Sequence, residues 1–136
     1  MQIHGNPELA YEEHFAHNAI CNFLEDHGIP TTRHAHGLCT AFEATAGTSN
    51  GRCVNFNAEY DALPDIGHAC GHNLIATASI TGFLALAFAI RRFGLAGEAQ
   101  LLGTPAEEDG GGKVDLSRAG AYRKANVSLM VYGLPW

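Results

Sequence analysis

The chain has 136 residues, a formal net charge of -6 at pH 7 and 16% charged residues. This length allows one domain, or part of one, with roughly two-thirds of its unfolded surface buried in a core. The negative charge and the absence of any lysine and arginine run argue against nucleic acid as a partner.

Residues 12–25 predict an amphipathic helix, because apolar side chains recur there at helical spacing. This spacing would leave Glu13, His14 and His17 on the solvated side of the helix. Gly28, followed closely by a proline, is a typical signal for the end of a helix.

Two strand-like runs follow the helix. The first covers roughly 31–46 with a break near Gly37, and the second covers 52–60. The Asn50-Gly51 pair between them is a tight-turn signal. In the second run, alternation predicts one face in the core, and Asp61 stands at its C-terminal end, where α/β sheets place functional groups.

The second half of the chain predicts a helix at 74–93, a strand at 98–103, a helix at 114–122 and a central strand at 127–131. The uncharged part of the first helix is at the short limit of what spans a bilayer. Its serine, threonine and glycine residues favour a helix packed against a sheet, without a membrane partner. The complete order indicates an α/β layered sheet.

The cysteines indicate a reducing environment. They lie far apart and form no C-x-x-C pair; they are Cys21, Cys39, Cys53 and Cys70. The first 13 residues lack the apolar core of a signal peptide. We therefore expect free thiols and a cytoplasmic location rather than a disulfide framework.

A candidate metal-binding segment contains His68, Cys70 and His72 at alternating positions. Imidazole and thiolate are ligands that zinc prefers, and alternate residues of an extended segment point to the same side. The alternative is a turn with solvated histidines and a buried cysteine that behaves as a small apolar group.

The acidic pair Glu107-Glu108 follows a predicted strand, and adjacent carboxylates at a strand end repel one another unless cations compensate them. An exposed, solvated turn is the alternative. If the two strands separated by one helix are neighbours, their C-terminal loops face each other across one crevice. One glutamate could then bind an ion while its neighbour acts as general base, and Asp61 could orient a histidine ligand.

Four segments carry a resemblance to a known family. The sequence resembles the aminoacylase/carboxypeptidase family of metallopeptidases, and within it the amidohydrolase branch of β-alanyl-lysine dipeptidase and aminobenzoyl-glutamate hydrolase. The matching segments are NPELAYEE (6–13), NFNAEYDALP (55–64), GHACGHNLIA (67–76) and LGTPAEEDGGG (102–112).

The resemblance implies a three-layer α/β catalytic domain of the zinc-exopeptidase type with a mixed sheet, of which residues 1–136 would be the N-terminal part. It implies Cys70, His72 and Glu108 as metal ligands, Glu107 as general base and Asp61 as the acid behind the histidine. His68 has no ligand role in that pattern. The intact family holds two divalent ions, here expected to be zinc with manganese or cobalt as alternatives, and forms homodimers through a lid domain.

The sequence departs from the family after the last predicted strand, where a His-Pro pair that supplies a further ligand is replaced by Tyr132-Gly-Leu-Pro-Trp136. The lid domain and the later ligands are also missing. One hypothesis is therefore a metal-dependent amidohydrolase acting on dipeptides or N-acyl amino acids. A second, favoured for this polypeptide alone, is a truncated and catalytically silent fragment, because three ligands cannot fill two coordination shells. A third is a cysteine hydrolase in which His68 or His72 activates Cys70.

Overall fold

The computed structural model describes residues 2–132. These residues form three α-helices and five strands in the predicted order, with the run 31–46 divided into two strands. The helices are α1 (His14–Asp26), α2 (His72–Phe93) and α3 (Gly112–Arg118). The strands are β1 (Thr31–Arg33), β2 (Phe42–Gly47), β3 (Arg52–Ala58), β4 (Gly97–Gly103) and β5 (Val127–Leu129). Most of the segment that replaces the family's His-Pro pair, residues 133–136, lies outside the described residues.

The strands form one mixed sheet in the order β1-β2-β4-β3-β5. β3 runs parallel to both β4 and β5, whereas β2 runs antiparallel to β1 and β4. The Asn50-Gly51 segment therefore connects two strands that do not pair, because β4 lies between them. Helix α2 is the crossover from β3 to β4, so both strands end at the same edge, where Ala58 is paired with Gly103.

Helices cover both faces of the sheet, which gives the expected three layers. Leu101 of β4 packs in the cluster that contains the buried residues of α1 and α2. The next residue, Leu102, points to the opposite face and packs against Leu116 of α3. Because successive side chains of a strand point to opposite faces, the two clusters mark two separate core layers.

The prediction that polar residues at the start of α1 face solvent was wrong for two of them. Glu13 and His17 are buried, whereas Phe15 on the predicted apolar side is 42% exposed. The buried stripe follows Ala16, Ile20 and Leu24, at the i, i+4 and i+8 spacing. His17 belongs to this stripe because its Nδ1 donates a hydrogen bond to the carbonyl oxygen of Thr40 at 3.0 Å.

The sequence pattern placed only one face of β3 in the core. In the structure the opposite, polar face is buried as well. Asn55 donates to Asn57 Oδ1 at 2.9 Å and to Ser128 Oγ at 3.2 Å, and Tyr122 donates to Asn57 Oδ1 at 3.3 Å. β5, predicted as a central strand, is an edge strand among the described residues, and all three of its residues are exposed.

Helix α2 packs on the sheet with one face, through Ile75, Ala76 and Phe83, which are at most 4% exposed. Its other face leaves Leu74 and Phe93 each 68% exposed. By length and composition alone the helix could also cross a membrane. Its role as the crossover between two paired strands supports the predicted packing against the sheet.

We predict that Gly103→Ala destabilises the fold at the strand end next to the site. A Cβ at this position would lie 2.7 Å from the Tyr60 hydroxyl and closer still to the Phe42 ring, and both side chains are fully buried. Overpacking of this kind costs about 1–3 kcal/mol. The free energy of unfolding, measured by urea denaturation, should fall by that amount.

The control for this substitution is Gly94→Ala, which adds a Cβ in open space and tests only the left-handed backbone at φ +62°. Its cost should be that of the left-handed conformation alone, about 1–2 kcal/mol. If the stability of Gly103→Ala matched that of the unmodified chain, the close approach of Phe42 and Tyr60 to Gly103 would be incorrect.

Candidate metal centre

The segment after β3 brings Cys70 and His72 to the start of α2. The chain forms a one-turn 3₁₀ helix over His68–Cys70, and α2 begins at His72. Gly71 separates the two elements in a left-handed conformation, at φ +80°. Glycine adopts this conformation without steric cost, which allows the sharp change of direction between the cysteine and the histidine.

Asp61 fixes the orientation of the His72 ring. His72 Nδ1 lies 2.8 Å from Asp61 Oδ1 and 3.0 Å from the Asp61 carbonyl oxygen, and both residues are buried. Because both partners are acceptors, Nδ1 carries the proton. The opposite nitrogen, Nε2, then presents its lone pair, which is the arrangement typical of metal-binding histidines.

Three carboxylates surround His72 Nε2. The nearest oxygens are Glu59 Oε2 at 3.5 Å, Glu108 Oε1 at 3.6 Å and Glu107 Oε2 at 3.8 Å. These distances are too long for good hydrogen bonds. They match the spacing between ligands of one tetrahedral ion, since atoms about 2.0–2.3 Å from such an ion lie about 3.3–3.8 Å apart.

The three predicted ligands converge in space. One donor atom each from Cys70, His72 and Glu108 lies within 4.8 Å of the other two. Thiolate, imidazole and carboxylate are a donor set that suits a divalent transition ion. The residues therefore fit a metal ion, and they lie at the edge of an open cavity of about 1530 Å³.

The same Asp61 carboxylate also holds the loop after β4. Its second oxygen, Oδ2, accepts a hydrogen bond from the backbone N–H of Glu108 at 2.9 Å. Burial by itself would raise the pKa of Asp61, but the hydrogen bonds from His72 and from the Glu108 N–H outweigh burial and lower that pKa. An ionised Asp61 thus links the two loops that carry the candidate ligands.

The charges of the site favour a cation. Burial would lower the pKa of His72, but the hydrogen bond to Asp61 and the nearby carboxylates outweigh it and raise that pKa. Burial, with the charges of Glu108 and Asp61, raises the pKa of the Cys70 thiol. Carboxylates gathered around one imidazole repel one another, and a bound cation would relieve this repulsion.

Glu59 belongs to this cluster, although the sequence interpretation assigned it no functional role. It is 2% exposed, and its Oε1 pairs with the Lys113 ammonium group at the start of α3. The alternation along β3 could have identified it, because Asn57, Glu59 and Asp61 occupy every second position of the same segment.

His68 lies beside the cluster but not in it. The residue is 8% exposed, and neither ring nitrogen has a hydrogen-bond partner among residues 2–132. It lines the same cavity as Cys70, His72 and the two glutamates.

The raised pKa of Cys70 argues against the cysteine-hydrolase hypothesis, because a nucleophilic cysteine needs a lowered pKa.

Comparisons with known proteins found relatives of the chain, although no family model matches it. It is 44% identical over 142 residues to the Xaa-Arg dipeptidase of Mus musculus, covering 96% of this chain and 33% of that protein. It is 29% identical over 145 residues to a p-aminobenzoyl-glutamate hydrolase protein of Escherichia coli, covering 94% of this chain and 30% of that protein. The chain thus spans about a third of the length of these curated relatives.

A solved structure shows that the chain also shares its fold with a known protein. The chain superimposes on a Bacillus subtilis protein described as a dinuclear metal-binding peptidase of the M20 family, with a TM-score of 0.77 and 29% identity. The match covers 93% of this chain and 39% of that one. Together with the curated relatives, it confirms the family resemblance and the sheet with helices on both faces. The comparisons thus confirm that the chain resembles metallopeptidases of the M20 type, as its motifs indicated.

Proposed function

We propose that the chain binds a divalent metal ion through Cys70, His72 and Glu108 and contributes to the hydrolysis of amide bonds in dipeptides or N-acyl amino acids. The observation that carries this proposal is the convergence of the three donor atoms within 4.8 Å of one another. The relatives named as a dipeptidase and a hydrolase support the reaction class.

A bound divalent ion would polarise the carbonyl group of the substrate and acidify a water molecule. Two side chains of the site have separate roles in the proposed reaction. Glu107, whose side chain is 36% exposed at the cavity, acts as general base, takes a proton from the attacking water and transfers it to the leaving nitrogen. Asp61 keeps the proton on His72 Nδ1 and holds the Glu108 backbone.

The ligand types support zinc as the ion, because zinc accepts thiolate, imidazole and carboxylate in one tetrahedral site. Manganese and cobalt are the alternatives. The donor group found in residues 2–132 serves one ion. A second ion, as in the dinuclear Bacillus protein, would need further donors.

The names of the relatives support a small-molecule substrate with an amino acid on the leaving side, such as an Xaa-Arg dipeptide or an aminobenzoyl-glutamate. A homodimer of the whole protein and a cytoplasmic location stay predictions. The second is supported by the four cysteines, which are all free.

A catalytically silent metal-binding chain is the second candidate. It is favoured by the single group of three donors among the described residues, in contrast to the two ions of the Bacillus relative. The two candidates share the same metal site. Only a measurement of hydrolysis by a metal-loaded chain separates them.

The first test concerns metal binding. We predict that the chain binds Co²⁺ with a thiolate-to-metal absorption band in the near ultraviolet, and that Cys70→Ser loses this band. Affinity should fall by more than the roughly 10–100-fold that loss of an outer hydrogen-bond partner costs. Cys39→Ser, which changes an exposed free thiol, is the control and should keep the band. A band that survives in Cys70→Ser would contradict the proposed site.

The second test concerns catalysis. We predict that Glu107→Gln lowers hydrolysis of an alanyl-arginine dipeptide by about 10²–10⁴-fold, the usual contribution of a general base, while Co²⁺ affinity stays unchanged. Asp109→Asn, on the exposed side of the same loop, should retain activity. Activity that persists in Glu107→Gln would contradict the assigned role. Metal binding without hydrolysis by the unmodified chain would favour the silent alternative.

A further inference from the structure

Glu13 is a buried carboxylate with no part in the proposed chemistry. It stands at the N-terminus of α1, yet its side chain does not cap that helix. The carboxylate of Glu8 performs the capping instead, accepting from the backbone N–H groups of Phe15 and Ala16 at 2.7 and 2.9 Å. Burying a carboxylate is costly unless hydrogen bonds compensate it, so the position of Glu13 requires another partner.

That partner lies 93 residues further along the chain. Glu13 Oε1 accepts a hydrogen bond from the backbone N–H of Ala106 at 2.8 Å, and both residues are fully buried. Ala106 is the residue directly before Glu107 and Glu108. The contact therefore joins the start of α1 to the turn that presents the candidate base and the candidate ligand.

The turn at Ala106 needs such a contact because its backbone is strained. Ala106 has a φ of +56°, a left-handed conformation that costs a residue with a Cβ roughly 1–2 kcal/mol. Its carbonyl oxygen accepts from the N–H of Gly112 at 3.1 Å, which closes the loop around the two glutamates. The acceptor at position 13 therefore opposes rotation of Ala106 toward an ordinary conformation, which would change the direction of the chain at Glu107.

The segment before Glu13 contacts the surroundings of the site at two further points. The carbonyl oxygen of Glu8 accepts from the N–H of Ala62, next to Asp61, at 2.8 Å. The Tyr11 hydroxyl lies 3.0 Å from both the Gly110 carbonyl oxygen and Asp115 Oδ2. Residues 6–13 thus contact both loops that carry the candidate ligands.

We propose that Glu13 is a positioning residue, which fixes the left-handed turn at Ala106 and thereby sets the position of Glu107 and Glu108 relative to His72. This inference rests on the proposed metal site. The proposed role of Glu13 differs from a general contribution to the stability of the fold. The effect of Glu13 would be confined to the turn at Ala106 and to the metal ion that this turn helps to hold.

The test uses the full chain with Glu13→Leu, which removes the acceptor, and Glu13→Gln, which keeps an acceptor oxygen at the same reach. Glu12→Leu is the matched control, since its side chain is exposed one position earlier. Hydrogen exchange of the Ala106 amide, measured by NMR without metal, reports the contact itself, with the Leu101 amide in β4 as reference. The Co²⁺ dissociation constant reports the consequence.

In Glu13→Leu we expect the Ala106 amide to exchange faster while the Leu101 amide is unchanged, and Co²⁺ binding to weaken by about 10–100-fold. Glu13→Gln and Glu12→Leu should behave like the unmodified chain. Unchanged Co²⁺ affinity in a folded Glu13→Leu would overturn the inference. So would a loss of affinity matched by an equal loss of Leu101 protection, because the effect would then be global.

If Glu13→Leu does not fold, Glu13→Asp replaces it, because aspartate keeps the carboxyl group but is one methylene too short to reach Ala106. It should show the same fast Ala106 exchange and weaker Co²⁺ binding, and normal values of both would overturn the inference. If the unmodified chain binds no Co²⁺, the proposed function fails, while the Ala106 exchange rate still tests the hydrogen bond.

Discussion

The carboxylate of Asp61 is the contact on which the arrangement of the site depends. One oxygen accepts from His72 Nδ1 and the other from the Glu108 backbone, so a single buried group ties the loop after β3 to the loop after β4. Hydrogen bonds from both sides keep Asp61 ionised in spite of burial. The donor atoms of Cys70, His72 and Glu108 can converge because neither loop is free to move independently of the other.

The sheet makes this contact possible. β3 and β4 are parallel neighbours, and the crossover through α2 returns the chain so that both strands end at the same edge. Helix α2 starts at His72 itself, which places the imidazole at the junction of loop and helix. The N-terminal segment closes the arrangement from the other side, through the contacts of Glu8, Tyr11 and Glu13 with the two loops.

Much of this site could be predicted from the sequence, because its signals are local. Cys70 and His72 stand two positions apart after a strand, and Glu107-Glu108 follow the next strand, one helix later. The rule that parallel strands end at a common edge brings the two clusters together. The structure brings donor atoms of Cys70, His72 and Glu108 within 4.8 Å of one another. The choice of these three residues over His68 and Glu107 came from the family resemblance, since the spacing alone left all five as candidates.

The remaining features depend on contacts between distant residues, which periodicity does not describe. Glu13 and His17 were placed in solvent because a polar side chain on a helix is usually exposed, and their partners Ala106 and Thr40 are known only from the fold. Glu59 stood out only as a polar residue of the second strand-like run, and its partner Lys113 at the start of α3 is known only from the fold. The turn signal at residues 50–51 is local, and it could not show that β4 separates the strands it connects.

X-ray absorption spectroscopy of the zinc-loaded chain tests the central claim most directly, because it reports the atoms bound to the ion. A site formed by Cys70, His72 and Glu108 should give one Zn–S distance of about 2.3 Å, together with nitrogen and oxygen ligands at about 2.0–2.2 Å. A coordination shell without sulfur would contradict the account, since the ion would then be held by residues other than the thiol-containing group.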